Sequence, residues 1–393
     1  MHTKRYFAAS GALTAALTLA ACGGGGEPAA ESSAPSPEIK VDEPLVATYD
    51  GGLLVIDGKS LEVKADIPKD GFLRVNPAGD AEHVMVSTNE GFQVLDAASA
   101  QLTDTTFAAE EPGHVVPHGE RTVLFADGSG EITMFDPHEL ANGTPQVETA
   151  KVPEPHHGVA VVLSDGTQLR SEGNEDTRSG AVALDADGKE IARSAECPGL
   201  HGEAVVAGET AVFGCENGVL TFADGRFTKI AGPGEYGRVG TIKAHADSAV
   251  GLGDFKVDPD AELERTEQFS LIDTDANQLK VVRLPASVSY SWRSLARGPH
   301  AEALILGTDG NLYVIDPNTG ATVKTIAVTE KWTEPDDWQQ PRPAVFTRGH
   351  DVYVTEPASR ELHAVDIESA AVSNSVTLDQ TPNEISGAVG HEH

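Results

Sequence analysis

The sequence predicts an all-β chain closed into a single β-propeller of eight four-stranded blades, or seven if one repeat is a decoy. Three observations carry this expectation. One phrase recurs: a Gly-containing turn, an alternating apolar run, an Asp and a second turn. It ends at Asp57, Asp96, Asp136, Asp185, Asp224, Asp273, Asp316 and Asp366, at intervals of 39 to 50 residues. Each period holds about four short apolar runs separated by Gly, Asp or Pro turns, and four strands per repeat of this length mark a propeller blade. No stretch of any length places apolar residues at helical spacing.

The elements follow in chain order. Residues 1–21 read as a lipoprotein signal peptide: Lys4 and Arg5, an apolar run over residues 6–21, and small residues directly before Cys22. The run is too short for a comfortable membrane span. Cleavage before Cys22 would leave it as the acylated N-terminus, so the chain is expected to be exported, with a lipid anchor as its only membrane contact. That places it on the outer side of the bacterial cytoplasmic membrane, periplasmic or extracellular. Residues 22–43, rich in Gly, Pro, Ser, Ala and Glu, cannot bury a core and read as a flexible tether. Residues 44–390 carry the repeats. The recurring Asp is a hairpin-turn residue, because its carboxylate can accept from amides two residues on. Residues 45–63 supply only the later strands of a blade and residues 384–389 a spare strand, so the C-terminus is expected to complete the blade the N-terminus began. Residues 391–393 form a His-Glu-His tail.

Composition excludes some partners. Lys plus Arg is 28 against 61 Asp plus Glu, a formal charge of -33, which repels phosphate and removes nucleic acid from consideration. Cations are tolerated. With Cys22 assigned to lipid, Cys197 and Cys215 remain, and an exported compartment lets them pair across neighbouring strands or loops. No Gly-x-Ser-x-Gly elbow and no His-Glu-x-x-His is present, so no catalytic residue is expected and the chain reads as a non-enzyme. Gly232-Pro-Gly234-Glu-Tyr-Gly237 matches a dinucleotide fingerprint by letters only, with no βαβ unit around it.

Histidine is the informative residue. In three consecutive repeats a His opens the innermost strand: His114, the pair His156 and His157, and His201, each within three residues of a Pro. Innermost strands line the propeller axis, so three imidazoles from neighbouring blades can converge on a Zn²⁺ ion. Adjacent strand residues point oppositely, which favours one of His156 and His157, and spacing to the next turn favours His157. Glu111, Glu154 and Glu196 sit beside these positions as candidate oxygen ligands or outer acceptors. A second group falls at the outgoing turn of the inner strand: His118, His245, His300, His350, His391 and His393. His118, His245 and His300 read as solvated turn residues, whereas His391 and His393 could hold a metal weakly. His83, His138 and His363 read as isolated. Trp332 and Trp338, in an acidic loop before the last inner strand, are expected on the face of the histidine trio, packing across blades or forming a docking patch.

Pro198-Gly-Leu-His-Gly-Glu-Ala204, Phe213-Gly-Cys-Glu-Asn-Gly-Val219, the His156-His157 pair and the histidine tail resemble the AztD-type zinc metallochaperones. The likeness covers about residues 44–393. It implies an extracytoplasmic zinc carrier that passes its metal to the zinc-binding protein of an ABC importer, with His114, His157 and His201 as best candidates for the ligands; the chain is expected to be a monomer. It also implies a His-rich segment near the N-terminus, whereas the tether here has no histidine and the His-x-His is C-terminal. Two other classes fit a propeller. One is a metal-dependent hydrolase of the lactonase kind, whose sites lean on Glu, Asn and Asp around Ca²⁺; the other is a metal-free interaction scaffold. Imidazole alone does not separate zinc from copper or nickel.

Overall fold

The computed structural model describes residues 39–390. The recurring phrase is the third strand of each of eight antiparallel four-stranded sheets, arranged as propeller blades. Counting from the N-terminus, blade 2 spans residues 74–108, blade 3 residues 112–151 and blade 4 residues 160–194. Blades 5 to 8 span residues 201–231, 242–283, 295–327 and 345–377. Blade 1 is composite: its outer three strands are Pro44–Tyr49, Gly52–Asp57 and Val63–Pro68, and its innermost strand is Ile385–Gly387. Blade 5 carries an extra short strand, Gly237–Arg238, which pairs in parallel with Asn217. Two short 3-10 turns, Pro137–Asn142 and Trp292–Ser294, interrupt the connections, and the first accounts for part of the long interval between Asp136 and Asp185.

Burial explains the sequence pattern strand by strand. The middle strands are covered on both faces by neighbouring blades, so they are apolar without alternation, as in Leu53-Leu54-Val55-Ile56. The outermost strands face water and are largely polar, as in Ala371–Thr377. The interior is therefore a set of slabs between blades. Eight apolar clusters correspond to the eight blade–blade interfaces, including one in which Leu45, Leu54 and Ile56 of blade 1 meet Tyr353 and Leu362 of blade 8.

The recurring Asp behaves as its chemistry requires. Asp57, Asp96, Asp136, Asp185, Asp273, Asp316 and Asp366 each accept a hydrogen bond from an amide two to four residues on. Asp224 turns the chain differently, by taking a left-handed backbone with φ 49.

Both ends of the chain meet in blade 1. Ala47, Val46 and Leu45 pair with Ile385, Ser386 and Gly387, and the ladder extends through Thr48 to Asn383 and Glu384. A Cβ at Gly387 would lie 2.7 Å from the Pro44 carbonyl oxygen and 2.9 Å from the Phe346 ring, so only glycine fits this seam. Glu384 then ties the seam to distant blades. Its Oε1 accepts from Arg293 at 2.9 Å and from Arg74 at 3.2 Å, while Arg293 also donates to Asn383. Beside this group, Arg342 pairs with Glu334 at 2.8 Å, both side chains being fully covered.

Removing one partner of a buried ion pair leaves an uncompensated charge and costs about 3–5 kcal/mol. Glu384→Ala is therefore expected to lower unfolding stability by about that amount in chemical denaturation. Glu148→Ala, which removes the exposed pair with Arg121, should change stability by less than about 1 kcal/mol.

Candidate metal centre

The three histidines that open inner strands meet at the axis, and local backbone irregularities aim them. In blade 3 the pairing of the inner strand Pro112–His118 shifts register between Pro112 and Val115, which leaves Gly113 and His114 in a bulge. In blade 5 the inner strand His201–Val206 shifts between His201 and Glu203. Bulges re-aim side chains out of the ordinary alternation. Gly202 fills the blade 5 bulge with φ +74, and a Cβ there would sit 2.5 Å from the Gly240 carbonyl oxygen. In blade 4, His157 lies in the irregular segment before the short inner strand Ala160–Val162.

One ligand atom from each of His114, His157 and His201 lies within 4.8 Å of the others. Ring centroids are 5.0 to 5.4 Å apart. Each ring is held from behind through Nδ1. His114 Nδ1 donates to Glu203 at 3.0 Å, His157 Nδ1 to Asp127 at 2.5 Å, and His201 Nδ1 to the Gly240 carbonyl at 2.7 Å. These bonds fix the tautomer and leave each Nε2 lone pair free to face a common point. His157 Nε2 and His201 Nε2 are 3.0 Å apart. Two facing lone pairs at that distance repel unless a proton or a cation lies between them. Donors on one tetrahedral zinc at about 2.0–2.1 Å are about 3.4 Å apart, so small ring adjustments suffice to seat an ion.

The electrostatics differ ring by ring. Burial lowers the basicity of His114, but the Glu203 carboxylate reverses this and leaves His114 above the ordinary histidine value. His201 is pushed well below it, first by burial and then by the neighbouring His114 and His157. Glu203 Oε2 is buried without a protein hydrogen-bond partner among the described residues. Glu203 also lines an axial cavity of about 1130 Å³ that runs to the opposite face, past His118, Glu209 and His245. His157 is the exposed member of the trio, with 41% of its side chain accessible.

His156 faces away. It is buried, its Nδ1 donates to the Glu154 carbonyl at 2.9 Å and its Nε2 meets Ser171 at 2.8 Å. Glu154 thus contributes a backbone oxygen, and Glu111 and Glu196 stand in exposed turns outside the trio. The carboxylates that do reach the trio, Asp127 and Glu203, come from a strand-to-strand turn of blade 3 and from the far side of the blade 5 bulge. His391, His393 and Cys22 lie outside the described residues. Cys197 and Cys215 form a disulfide that ties the connector leading into His201 to the second strand of blade 5.

His118 is not a freely solvated turn residue: its Nε2 lies 3.1 Å from Glu209, which also accepts from Ser164. His83 and His363 are not isolated either. Both are buried, the first on Asp80 at 2.6 Å and the second between Ser375 and Glu356. Trp332 packs on blade 7, its indole donating to the Gly307 carbonyl, and Trp338 stacks edge-on against Phe72.

No family model matches the chain. A curated protein named zinc chaperone AztD, from Citrobacter koseri, is 25% identical over 316 residues, which cover 76% of this chain and 72% of that protein. The structure of apo AztD from Citrobacter koseri superposes with a TM-score of 0.75 at 20% identity, covering 89% of this chain and 98% of that one. A second Citrobacter koseri AztD crystal structure gives 0.71 at 22% identity with the same coverage. The AztD-type resemblance read from the sequence is borne out by these matches, and the superpositions establish the shared propeller fold.

Because the Glu203 carboxylate raises His114, Glu203→Gln should move the His114 titration to lower pH while leaving the propeller folded. Histidine ring NMR across the pH range reads this directly, and an unmoved His114 would contradict the assigned pairing.

Proposed function

We propose that this protein is an extracytoplasmic zinc metallochaperone that carries Zn²⁺ on His114, His157 and His201 and delivers it to the zinc-binding protein of an ABC importer. The observation that carries the reading is the trio itself, with every Nδ1 bonded outward and the Nε2 atoms gathered inward. The likeness to a protein named as a zinc chaperone supports the choice of zinc over other borderline cations.

The ligand set suits a cargo. Three neutral imidazoles leave the fourth tetrahedral position to water or to a donor arriving on a receiver. His157, at the exposed edge, is the ring such a receiver reaches first. The charge of -33 draws cations toward the surface and favours a receiver with a positive patch. A lipid anchor on Cys22 would hold the chain at the membrane beside an anchored receiver and raise the effective concentration. The disulfide between Cys197 and Cys215 suits an oxidising compartment outside the cytoplasm. The axis offers imidazoles in place of the carboxylate and amide oxygens expected of a Ca²⁺ hydrolase, and the likeness to a protein named as a zinc chaperone favours a carrier over a hydrolase.

After dialysis against zinc, the parent is expected to retain a single tight zinc at the trio, and His114/His157/His201→Ala to lose it. Elemental analysis decides this, and equal zinc in both proteins would sink the assignment. Direct delivery has its own test. The transfer rate should rise with the concentration of a zinc-binding receiver, above the rate at which a chelator collects released metal. A rate that matches the chelator's would mean passage through free solution.

Acidification should release the metal, since protons compete for the same lone pairs. His114, raised above the ordinary histidine value, begins to compete before His201, which stays neutral well below it. Zinc competition titrations between about pH 8 and pH 5 should therefore show affinity falling with pH, with the decline already under way above the ordinary histidine value.

A further inference from the structure

The face opposite the trio carries a second histidine group. His300 lies in the turn between Leu295–Arg297 and Ala303–Leu306 of blade 7, and His350 in the equivalent turn between Val345–Arg348 and Asp351–Glu356 of blade 8. Glu368 comes from the turn between Glu361–Asp366 and Ala371–Thr377. These turns lie at the ends of the inner strands away from His114 and His201. Within the group, one ligand atom from each residue lies within 4.8 Å of the others, and all three residues are exposed. His300 Nε2 is 3.6 Å from Glu368 Oε1, and the two imidazole centroids are 5.8 Å apart.

Two further observations single this group out from ordinary surface histidines. The backbone of two of the three turns is pinned by a carboxylate: Glu302 accepts from the His300 amide at 2.9 Å, and Asp366 accepts from the Glu368 amide at 2.8 Å. Beside His300 lies a cavity of about 580 Å³ lined by Asp247, Asp273, Asp275, Glu302 and Asp316, a concentration of negative charge that gathers cations next to the imidazoles. Lys324 donates to the Ile367 and Glu368 carbonyls rather than to the Glu368 carboxylate.

We infer that His300, His350 and Glu368 form a second divalent-metal site, distinct from the axial trio, that binds Zn²⁺ more weakly and exchanges it faster. Two imidazoles and a carboxylate are a zinc donor set, and the 3.6 Å between His300 Nε2 and Glu368 Oε1 is close to the approximately 3.4 Å between donors on one tetrahedral ion. The weakness follows from the surroundings. Among the described residues the ring nitrogens of His300 and His350 have no outward acceptor like those behind the trio, so binding must order exposed side chains. Binding here stands apart from the chaperone reading, since its ligands share no residue with the trio.

The test is zinc equilibrium dialysis of the full chain carrying His114, His157, His201, His391 and His393→Ala, which removes the axial and tail histidines. That protein is expected to keep a single weak zinc. Adding His300→Ala and His350→Ala should abolish it, and adding Glu368→Gln alone should weaken it about tenfold. In NMR of the same background, zinc should shift the ring signals of His300 and His350 and leave buried His83 unmoved. Since all three residues are exposed, circular dichroism should report an intact fold in each variant. A background protein that binds no zinc, or variants that bind it equally, would overturn the proposal. Loss of zinc from the axial trio variant bears only on the chaperone reading and leaves this outcome separable.

Discussion

Everything in this molecule depends on the closure of the ring in blade 1. A propeller is a chain of sheets, each stabilised by the apolar slab it shares with its neighbours, so an open ring would expose two slab faces and an unpaired edge. Ile385–Gly387 removes both problems by becoming the innermost strand of a sheet that starts at Pro44. Glu384, adjoining that strand, is gripped by Arg74 of blade 2 and Arg293 at the entrance to blade 7. Charges this buried contribute little net stability by themselves, but they penalise any register except the native one, because a slipped seam would strand two guanidinium groups without a carboxylate.

The candidate metal centre inherits its geometry from that ring. His114, His157 and His201 stand on three successive blades, and no two of them share a sheet, so their convergence is fixed only by the angle between blades. The local devices are then small. Two bulges and a short irregular entry segment turn the rings toward the axis, and three Nδ1 acceptors lock them there. The arrangement separates tasks: blade packing sets the distances, and the Asp127, Glu203 and Gly240 acceptors set the tautomers.

The repeat, the blade count and the closing strand were legible because each is written in local chemistry: Asp in a hairpin turn, apolar runs covered on both faces, an incomplete blade near the N-terminus and a spare strand near the C-terminus. The trio was legible for the same reason, since each His follows a Pro at the entrance to an inner strand. Its supporting carboxylates were not. Glu111 and Glu154 are near the histidines in sequence, but a strand or tight turn sends neighbours to opposite sides, and Glu154 offers only its carbonyl. Glu203 reaches His114 from two blades away because Gly202 bulges, and Asp127 reaches His157 from the preceding blade. The pairing of His300 with His350 was likewise hidden: both were visible as outgoing-turn residues, but their carboxylate, Glu368, sits on a different turn.

Imidazole in place of thiolate has a physical logic for a zinc carrier of the kind proposed. Thiolates hold zinc in closed four-coordinate sites, where the metal becomes part of the fold. Cys197 and Cys215 are tied to each other, which withdraws the described thiols from metal binding and places a cross-link beside the connector into His201. Three neutral nitrogens leave the positive charge of the ion only partly compensated. A zinc ion seated on the trio would therefore retain an attraction for an incoming carboxylate or imidazole, so that exchange could proceed by adding a ligand before one is lost. Position differs within the trio: His114 and His201 are anchored in strands, while His157, in the irregular segment and exposed at the edge, would on the proposed reading be the donor to yield first.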